Sequence, residues 1–228
     1  MKGKRKEVIG LPLGLNMYEL VPFWHKFFET LGFGVEVSPF SNREIYLSGQ
    51  YSIPSDTVCF PAKMLHGHVE YLCEKQVDAV FYPCMSFNFD EKMGDNNYNC
   101  PVVAYYPEVI AANMHFDGKT KLINDYVGPH KRKFFPEKMT ELLSKYFDGI
   151  TYKAVKKASD LAFKERDIFL ENVRKKGKEI VERARKEGRR IIVLCGRPYH
   201  ADPEINHGID MLINSFGVSV ISEDSVSN

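Results

Sequence analysis

Apolar runs of strand length alternate with apolar faces of helical period along the first half of this chain. Residues Glu7 to Leu13 read as a buried strand, and Tyr18 to Leu31 as a helix whose aromatic face carries Trp24, Phe27 and Phe28. Gly32 stops that helix, and Gly34 to Val37 is the next strand. Asn42 to Gly49 forms a short helix. Pro61 to Lys75 forms a longer one, with proline in its first turn and Met64, Leu65, Val69 and Leu72 on one face. Ala79 to Pro83 and Val102 to Tyr106 are expected strands, and a further helix begins around Val109 to Asn113. The β-α-β-α alternation predicts an α/β fold: an open parallel sheet covered by helices on both faces, Rossmann-like or flavodoxin-like.

From about Lys131 the pattern changes. Phe135 to Phe147 and Tyr152 to about Gly188 are helical and highly charged, with Ala162, Phe169, Val173, Ile180 and Ala184 spaced as one face. An unbroken helix there spans roughly 55 Å at about 1.5 Å per residue, with Gly177 its weakest interior point. It is expected to be a connector with a solvated charged surface. A buried strand follows at Arg190 to Cys195, then the loop "GRPYHADPE", a helix from about Asn206 to Phe216 and a strand at Val218 to Ile221. The expected organisation is a first α/β domain at 1–128, a helical connector at 129–189 and an incomplete second α/β domain at 190–228. One strand-helix-strand cannot cover its own apolar faces, so this unit is expected to continue in a larger polypeptide.

Composition narrows the class. A length of 228 residues, 44% hydrophobic and 27% charged, is that of a soluble globular protein able to bury a core. The net charge of +1 gives no reason to expect a nucleic acid partner. The opening MKGKRKEVIG is basic, but Pro12, Gly14 and Asn16 interrupt the apolar stretch a signal peptide needs. No apolar run is long enough to span a membrane. A cytoplasmic location is expected, with the five cysteines as free thiols or metal ligands rather than disulfides.

Three cysteines stand out by position. Cys84 closes the strand ending at Pro83, where open parallel sheets gather ligands. Cys59 lies at the amino end of the helix beginning near Pro61, where the helix dipole favours a thiolate. Cys100 precedes the expected strand at Val102, so it need not share that edge, although the polar loop "FNFDEKMGDNNYN" is long enough to fold back over it. Each has a proline within two positions. The gaps are 25 residues (84 minus 59) and 16 residues (100 minus 84), with no C-x-x-C. Spacing alone leaves a shared metal site and three separate thiols both open. Cys73, among Val69, Leu72 and Val77, reads as a small buried hydrophobe. Cys195 is either structural or near a site.

His66 and His68 point about 200° apart on a helix, so joint chelation is not expected, while Gly67 between them permits close packing. His25 is expected in the core or at its edge. In the loop Gly196-Arg197-Pro198-Tyr199-His200, Arg197 and the free amides before Asn206 suit an anion. His200 or His207 suits an acid or base. The competing reading is a polar loop capped by Asp202 or Asn206.

The stretches "LNMYELVPFWHKFFETLGF", "IPSDTVCFPAKMLHGHVEYL", "VFYPC", "NCPVVAYYPEVI" and "GRPYHADPEINHGIDMLINSFGVSVISEDS" resemble the iron-sulfur domain associated with 2-hydroxyacyl-CoA dehydratases and their activases. In anaerobes this domain often belongs to a much larger activase-related polypeptide. The resemblance implies a 4Fe-4S cluster, labile in air, on Cys59, Cys84 and Cys100. It also implies a partnership with an ATP-dependent activase, and an acyl-CoA substrate. Three thiolates would leave one iron open.

The glycine-rich phosphate loop of an actin-like ATPase is missing: "LPLGLN" and "LGFGVE" are poor substitutes, so this chain is not the ATPase module. Two functions follow as expectations. One is the redox component of a 2-hydroxyacyl-CoA dehydratase-type lyase or reductase, with Arg197 and His200 lining the facing side of the cleft. The other is a non-catalytic cluster-binding or electron-relay module that docks an activase or dehydratase. A zinc or metal-free α/β scaffold is the third alternative.

Overall fold

A computed structural model describes residues 5–90, 92 and 94–227. The basic residues 1–4, Glu91 and Met93 of the polar loop, and Asn228 lie outside the described residues. Strand β1 (Val8–Leu11) leads into α1 (Asn16–Leu31), then β2 (Gly34–Val37) and α2 (Arg43–Gly49). Helix α3 (Phe60–Glu74), β3 (Ala79–Phe81), α4 (Pro101–Asn113) and β4 (Lys121–Ile123) complete the first sheet. Its order is β2-β1-β3-β4 and all its pairings are parallel. Helix α5 (Phe135–Ser144) and the long α6 (Tyr152–Lys186) follow. Next come β5 (Ile191–Leu194), α7 (Ile209–Ser215) and β6 (Ser219–Ser222), with β5 and β6 paired in a second parallel sheet. The architecture is the expected α/β one, an open parallel sheet covered by helices.

One expected strand is a helix. Residues 102–106 lie inside α4, which begins at Pro101. The run Val102-Val103-Ala104-Tyr105-Tyr106 has strand-forming residues, but burial decided otherwise: Val103, Ala104, Tyr106 and Ile110 share the buried face, at helical spacing. The strand between β3 and the edge is instead β4, a short segment that the sequence pattern did not single out.

The core shows why the aromatic helix matters. Phe23, Trp24, Phe27 and Phe28 of α1 are fully buried and meet Phe81 of β3, Phe135 of α5 and Phe163 of α6. Several of these pairs are edge-to-face, the arrangement the ring quadrupoles favour. His25 points the other way and is exposed, which corrects its expected place in or beside the core. The first turns of α6 join this core through Val155, Ala158, Ala162 and Phe163, while Lys156, Lys157 and Asp160 keep the opposite face charged and solvated.

Two glycines allow close crossings. A Cβ on Gly67 would fall 1.6 Å from the Ile45 carbonyl oxygen, so α2 lies directly on α3 there. A Cβ on Gly177 would fall 2.1 Å from the Ser225 carbonyl oxygen. The glycine that looked like a weak point of α6 is thus the contact for the turn at Glu223–Ser225.

Candidate functional site

In a sheet ordered β2-β1-β3-β4, the chain leaves β1 toward one side and later strands add on the other. The order reverses between β1 and β3, and in open α/β sheets that crevice, beyond the carboxyl ends of the strands, is where ligands collect. Helices joining parallel strands run antiparallel to them, so the amino ends of α3 and α4 lie at this same edge. Cys59 is the residue capping α3, and Cys100 caps α4. Neither thiol caps its own helix, which leaves both sulfurs uncommitted to the backbone. Both are exposed. Reading 102–106 as a strand had left Cys100 with no necessary place here; as a helix cap it belongs to this edge.

Cys84 sits just past β3. Its N–H donates to the Asp125 carbonyl at 3.1 Å, and its carbonyl accepts from Val127 N–H at 3.2 Å, which continues the pairing of β3 with β4. The side chain is buried. Burial pushes its thiol up to about 11; the Glu108 carboxylate adds to the rise and the Glu108 backbone N–H works against it. Cys84 also lines a cavity of about 260 Å³ with His130, Lys131 and Lys138.

The Tyr82 hydroxyl is fully buried, which raises its pKa well above the ordinary value, and Tyr106, Cys84 and Cys59 lie near enough to add to the rise. Tyr199, in the loop after β5, is raised by burial; Arg197 works against the rise, and Cys59, Cys100 and Glu19 add to it. Among the described residues, no three His, Cys, Asp or Glu side chains are close enough together to hold a single metal ion. A polynuclear cluster asks for something different, since each thiolate binds its own iron at a separate corner.

Cys73 stands apart on α3, partly buried against the core. Burial, then the carboxylates of Glu70, Asp117 and Glu74, push its thiol up to about 12.

A cavity of about 840 Å³ lies among α6, β5, β6, α7 and the loop after β5, and Phe60 and Pro61 of α3 reach it. Phe60 and Pro61, next to Cys59, line one wall; Cys195, Arg197, His200 and His207 line the other. Phe60 stacks on His207 with ring centroids 5.6 Å apart. Within the loop, Arg197 N–H donates to His200 Nδ1 at 3.1 Å and His200 N–H donates to the Arg197 carbonyl at 2.8 Å. A neutral His200 thus keeps its proton on Nε2. A Cβ on Gly196 would lie 2.5 Å from His200 Nδ1, so this turn needs glycine.

Asp202 anchors the loop. It is fully buried; one carboxylate oxygen accepts from Glu204 N–H (3.1 Å) and Ile205 N–H (3.3 Å), as the capping reading expected. The other oxygen accepts from Ser41 N–H at 3.1 Å. From Ser41 the network runs on: Ser41 Oγ meets His68 Nε2 at 3.0 Å, His68 Nδ1 meets Ser38 Oγ at 2.9 Å, and Ser38 Oγ accepts from Leu13 N–H at 2.8 Å. Burial lowers His68 to about 3, so it stays neutral. His66 faces elsewhere, between Ser52 Oγ (2.8 Å) and the Tyr106 hydroxyl (3.0 Å), and burial lowers it to about 4. The two histidines are satisfied structural groups on separate networks, as their spacing implied.

Sequence reasoning passed over Asn16, Tyr82, Tyr106, Tyr199 and the Ser38–Ser41–Asp202 chain. The signal for Tyr82 was available: a hydroxyl inside an otherwise apolar strand end, next to Pro83 and Cys84.

An open parallel sheet covered by helices, with cysteines at two helix caps and at one strand end, defines the class as an α/β fold. The chain belongs to the family described as CoA enzyme activase uncharacterised domain (DUF2229), whose sequence profile matches residues 8–226. No curated protein and no solved structure matches it. No helix among the described residues is long and apolar enough to cross a membrane.

Proposed function

We propose that this activase-related domain is a redox component that holds a 4Fe-4S cluster on Cys59, Cys84 and Cys100 and takes its electron from an ATP-driven activase. The observation that supports this reading is the common edge: two helix caps, Cys59 and Cys100, and one strand end, Cys84, stand at the carboxyl ends of the parallel strands. The residues fit such a group. Thiolate is the ligand iron-sulfur clusters take, and the fully buried Tyr82 hydroxyl, two residues before Cys84, has no hydrogen-bond partner among the described residues. When bound, the cluster supplies one-electron chemistry at a potential set by burial and by hydrogen bonds to sulfur.

The protein's own residues have distinct tasks in this reading. Cys84 holds from the buried side, and Cys59 and Cys100 from the exposed side. Arg197 and His200 face the 840 Å³ cleft, where an anionic acyl-CoA group would meet them. The second reading is a non-catalytic relay or docking module. It draws on the apolar surface left open by α7, where Met211 is 69% and Phe216 is 77% exposed.

Anaerobic reconstitution tests the first step. The chain should take up about four irons with the visible absorption of an iron-sulfur protein. Cys59→Ser, Cys84→Ser and Cys100→Ser should each lose it, while Cys73→Ser keeps it. Equal iron content in all four variants would refute the ligand set. Water elimination from a 2-hydroxyacyl-CoA by the full-length protein with activase and ATP would favour the enzyme. Electron uptake without turnover would favour the relay.

A further inference from the structure

The segments that follow β3 and β4 enclose the cavity of about 260 Å³, to which the proposed function gives no task. Its floor is apolar: Met85, Val127 and Phe135 are 2%, 3% and 2% exposed. Phe87 and Phe134 flank it, and Phe87 lies against the His130 ring with centroids 5.3 Å apart. Gly128 keeps one wall open, since a Cβ there would come 3.0 Å from His130 Nδ1 and 3.5 Å from Met85 Cγ. Sites for drug-sized ligands run from roughly 300 to 1,000 Å³, so the ligand that fits here is smaller.

The charged groups of this cavity have one sign. Lys131, Lys138 and His130 line it, and no Asp or Glu does among the described residues. Neither lysine forms an ion pair with a carboxylate among the described residues. The acids near its rim are engaged elsewhere. Asp125 accepts from Lys145 Nζ at 3.1 Å and from the Tyr146 hydroxyl at 2.7 Å, and Glu108 accepts from the Tyr126 hydroxyl. His130 Nδ1 is buried without a hydrogen-bond partner among the described residues, where buried polar atoms are ordinarily paired. Two ammonium groups without counter-charges and an unpaired ring nitrogen, set over an apolar floor, are recognition groups for an anion with an apolar body.

We propose that this cavity binds a small apolar monocarboxylate. Lys131 and Lys138 hold the carboxylate, His130 supplies a third polar contact, and Met85, Phe87 and Phe135 enclose the hydrocarbon part. The site goes beyond the cluster reading and does not depend on it.

Calorimetric titration of the full chain at low salt tests this with three probes of matched or stripped chemistry. Benzoate carries both the charge and the apolar body, benzyl alcohol the body alone, and inorganic phosphate the charge alone. Benzoate should bind with a Kd on the order of 1 mM. Benzyl alcohol and phosphate should each bind at least about tenfold more weakly. The Lys131→Gln/Lys138→Gln chain should lose about tenfold in benzoate affinity. Lys175→Gln/Lys178→Gln, the same loss of charge on the exposed surface of α6, should match the wild type. No benzoate binding, equal binding of either other probe, or wild-type affinity in the Lys131→Gln/Lys138→Gln chain would overturn the proposal. A loss confined to Arg197→Gln would put benzoate in the larger cavity and overturn it too. None of these readouts involves iron, so the failure of this site leaves the cluster reading untouched.

Discussion

The two parallel sheets of this protein are built from the same alternation and end in opposite conditions. The first has both faces covered. Its aromatic helix α1 buries four large rings completely, and the buried polar groups of α3, His66 and His68, each have two hydrogen-bond partners. The second sheet pairs just two strands, and Ile192 and Val193 of β5 are 41% and 40% exposed. Helix α7 leaves Met211, Leu212 and Phe216 in solvent. Parallel strands are stable when covered on both sides, so the second unit leans on the first. Asp202 reaches Ser41, Phe60 stacks on His207, and Ser225 packs on Gly177 of α6. The comparison teaches that the buried aromatic core is concentrated in one unit, while the cavity of the other is lined by apolar and charged side chains together.

Removing a core ring should break the contrast most visibly if it is wrong. Trp24→Ala should cost about 3–5 kcal/mol, because it opens a cavity among Phe27, Phe28, Phe81 and Phe135. Thermal unfolding followed by near-ultraviolet circular dichroism measures this; a loss under about 1 kcal/mol, the range of ordinary substitutions, would refute the assigned core.

Acid sharpens the comparison next. His66 and His68 sit in the first unit at about 4 and about 3, below their ordinary 6.5, because burial disfavours the charged ring. The unfolded chain therefore takes up these protons first. Stability is constant above about pH 6.5 as far as these two groups are concerned, and falls as pH drops toward 4 for His66 and toward 3 for His68. The slope is at most about 1.4 kcal/mol per pH unit for each. Urea midpoints at pH 7.5 and pH 5 should show the loss, and His68→Gln should flatten the curve. A pH-independent midpoint would mean that one or both rings are open to water.

The smallest effect belongs to the second unit. Phe216→Ala, at a ring 77% exposed, should change stability by no more than about 0.5 kcal/mol in the isolated chain. A shift near that of Trp24→Ala would erase the difference between the two units.

Much of the fold was legible from periodicity, and the misreadings are specific. β1, α1, β2, α2, α3 and β3 follow the expected elements within a few residues, because each has a clear apolar period and a glycine or proline boundary. Residues 102–106 misled because an apolar run buried on a helix looks like a strand over five positions. β4 was passed over because it has three residues, and Lys121 on it is exposed. In the candidate site, each cysteine's neighbouring proline was readable, but the partners were not. Asp202 and Ser41 are 161 residues apart, and His66 and Tyr106 are 40 apart. No local pattern connects them.

By itself the chain determined its alternating class, its aromatic core helix and the three thiols set beside prolines, since propensity and hydrophobic period act over a few turns at most. Tertiary structure alone decided that Cys100 caps a helix at the same edge as Cys84. It also decided that Gly177 admits a neighbouring turn, and that the Tyr82 hydroxyl is buried without a hydrogen-bond partner among the described residues. Those outcomes depend on which distant segments share one crevice, and burial against them sets both the helix-or-strand choice and the charge state of every group inside.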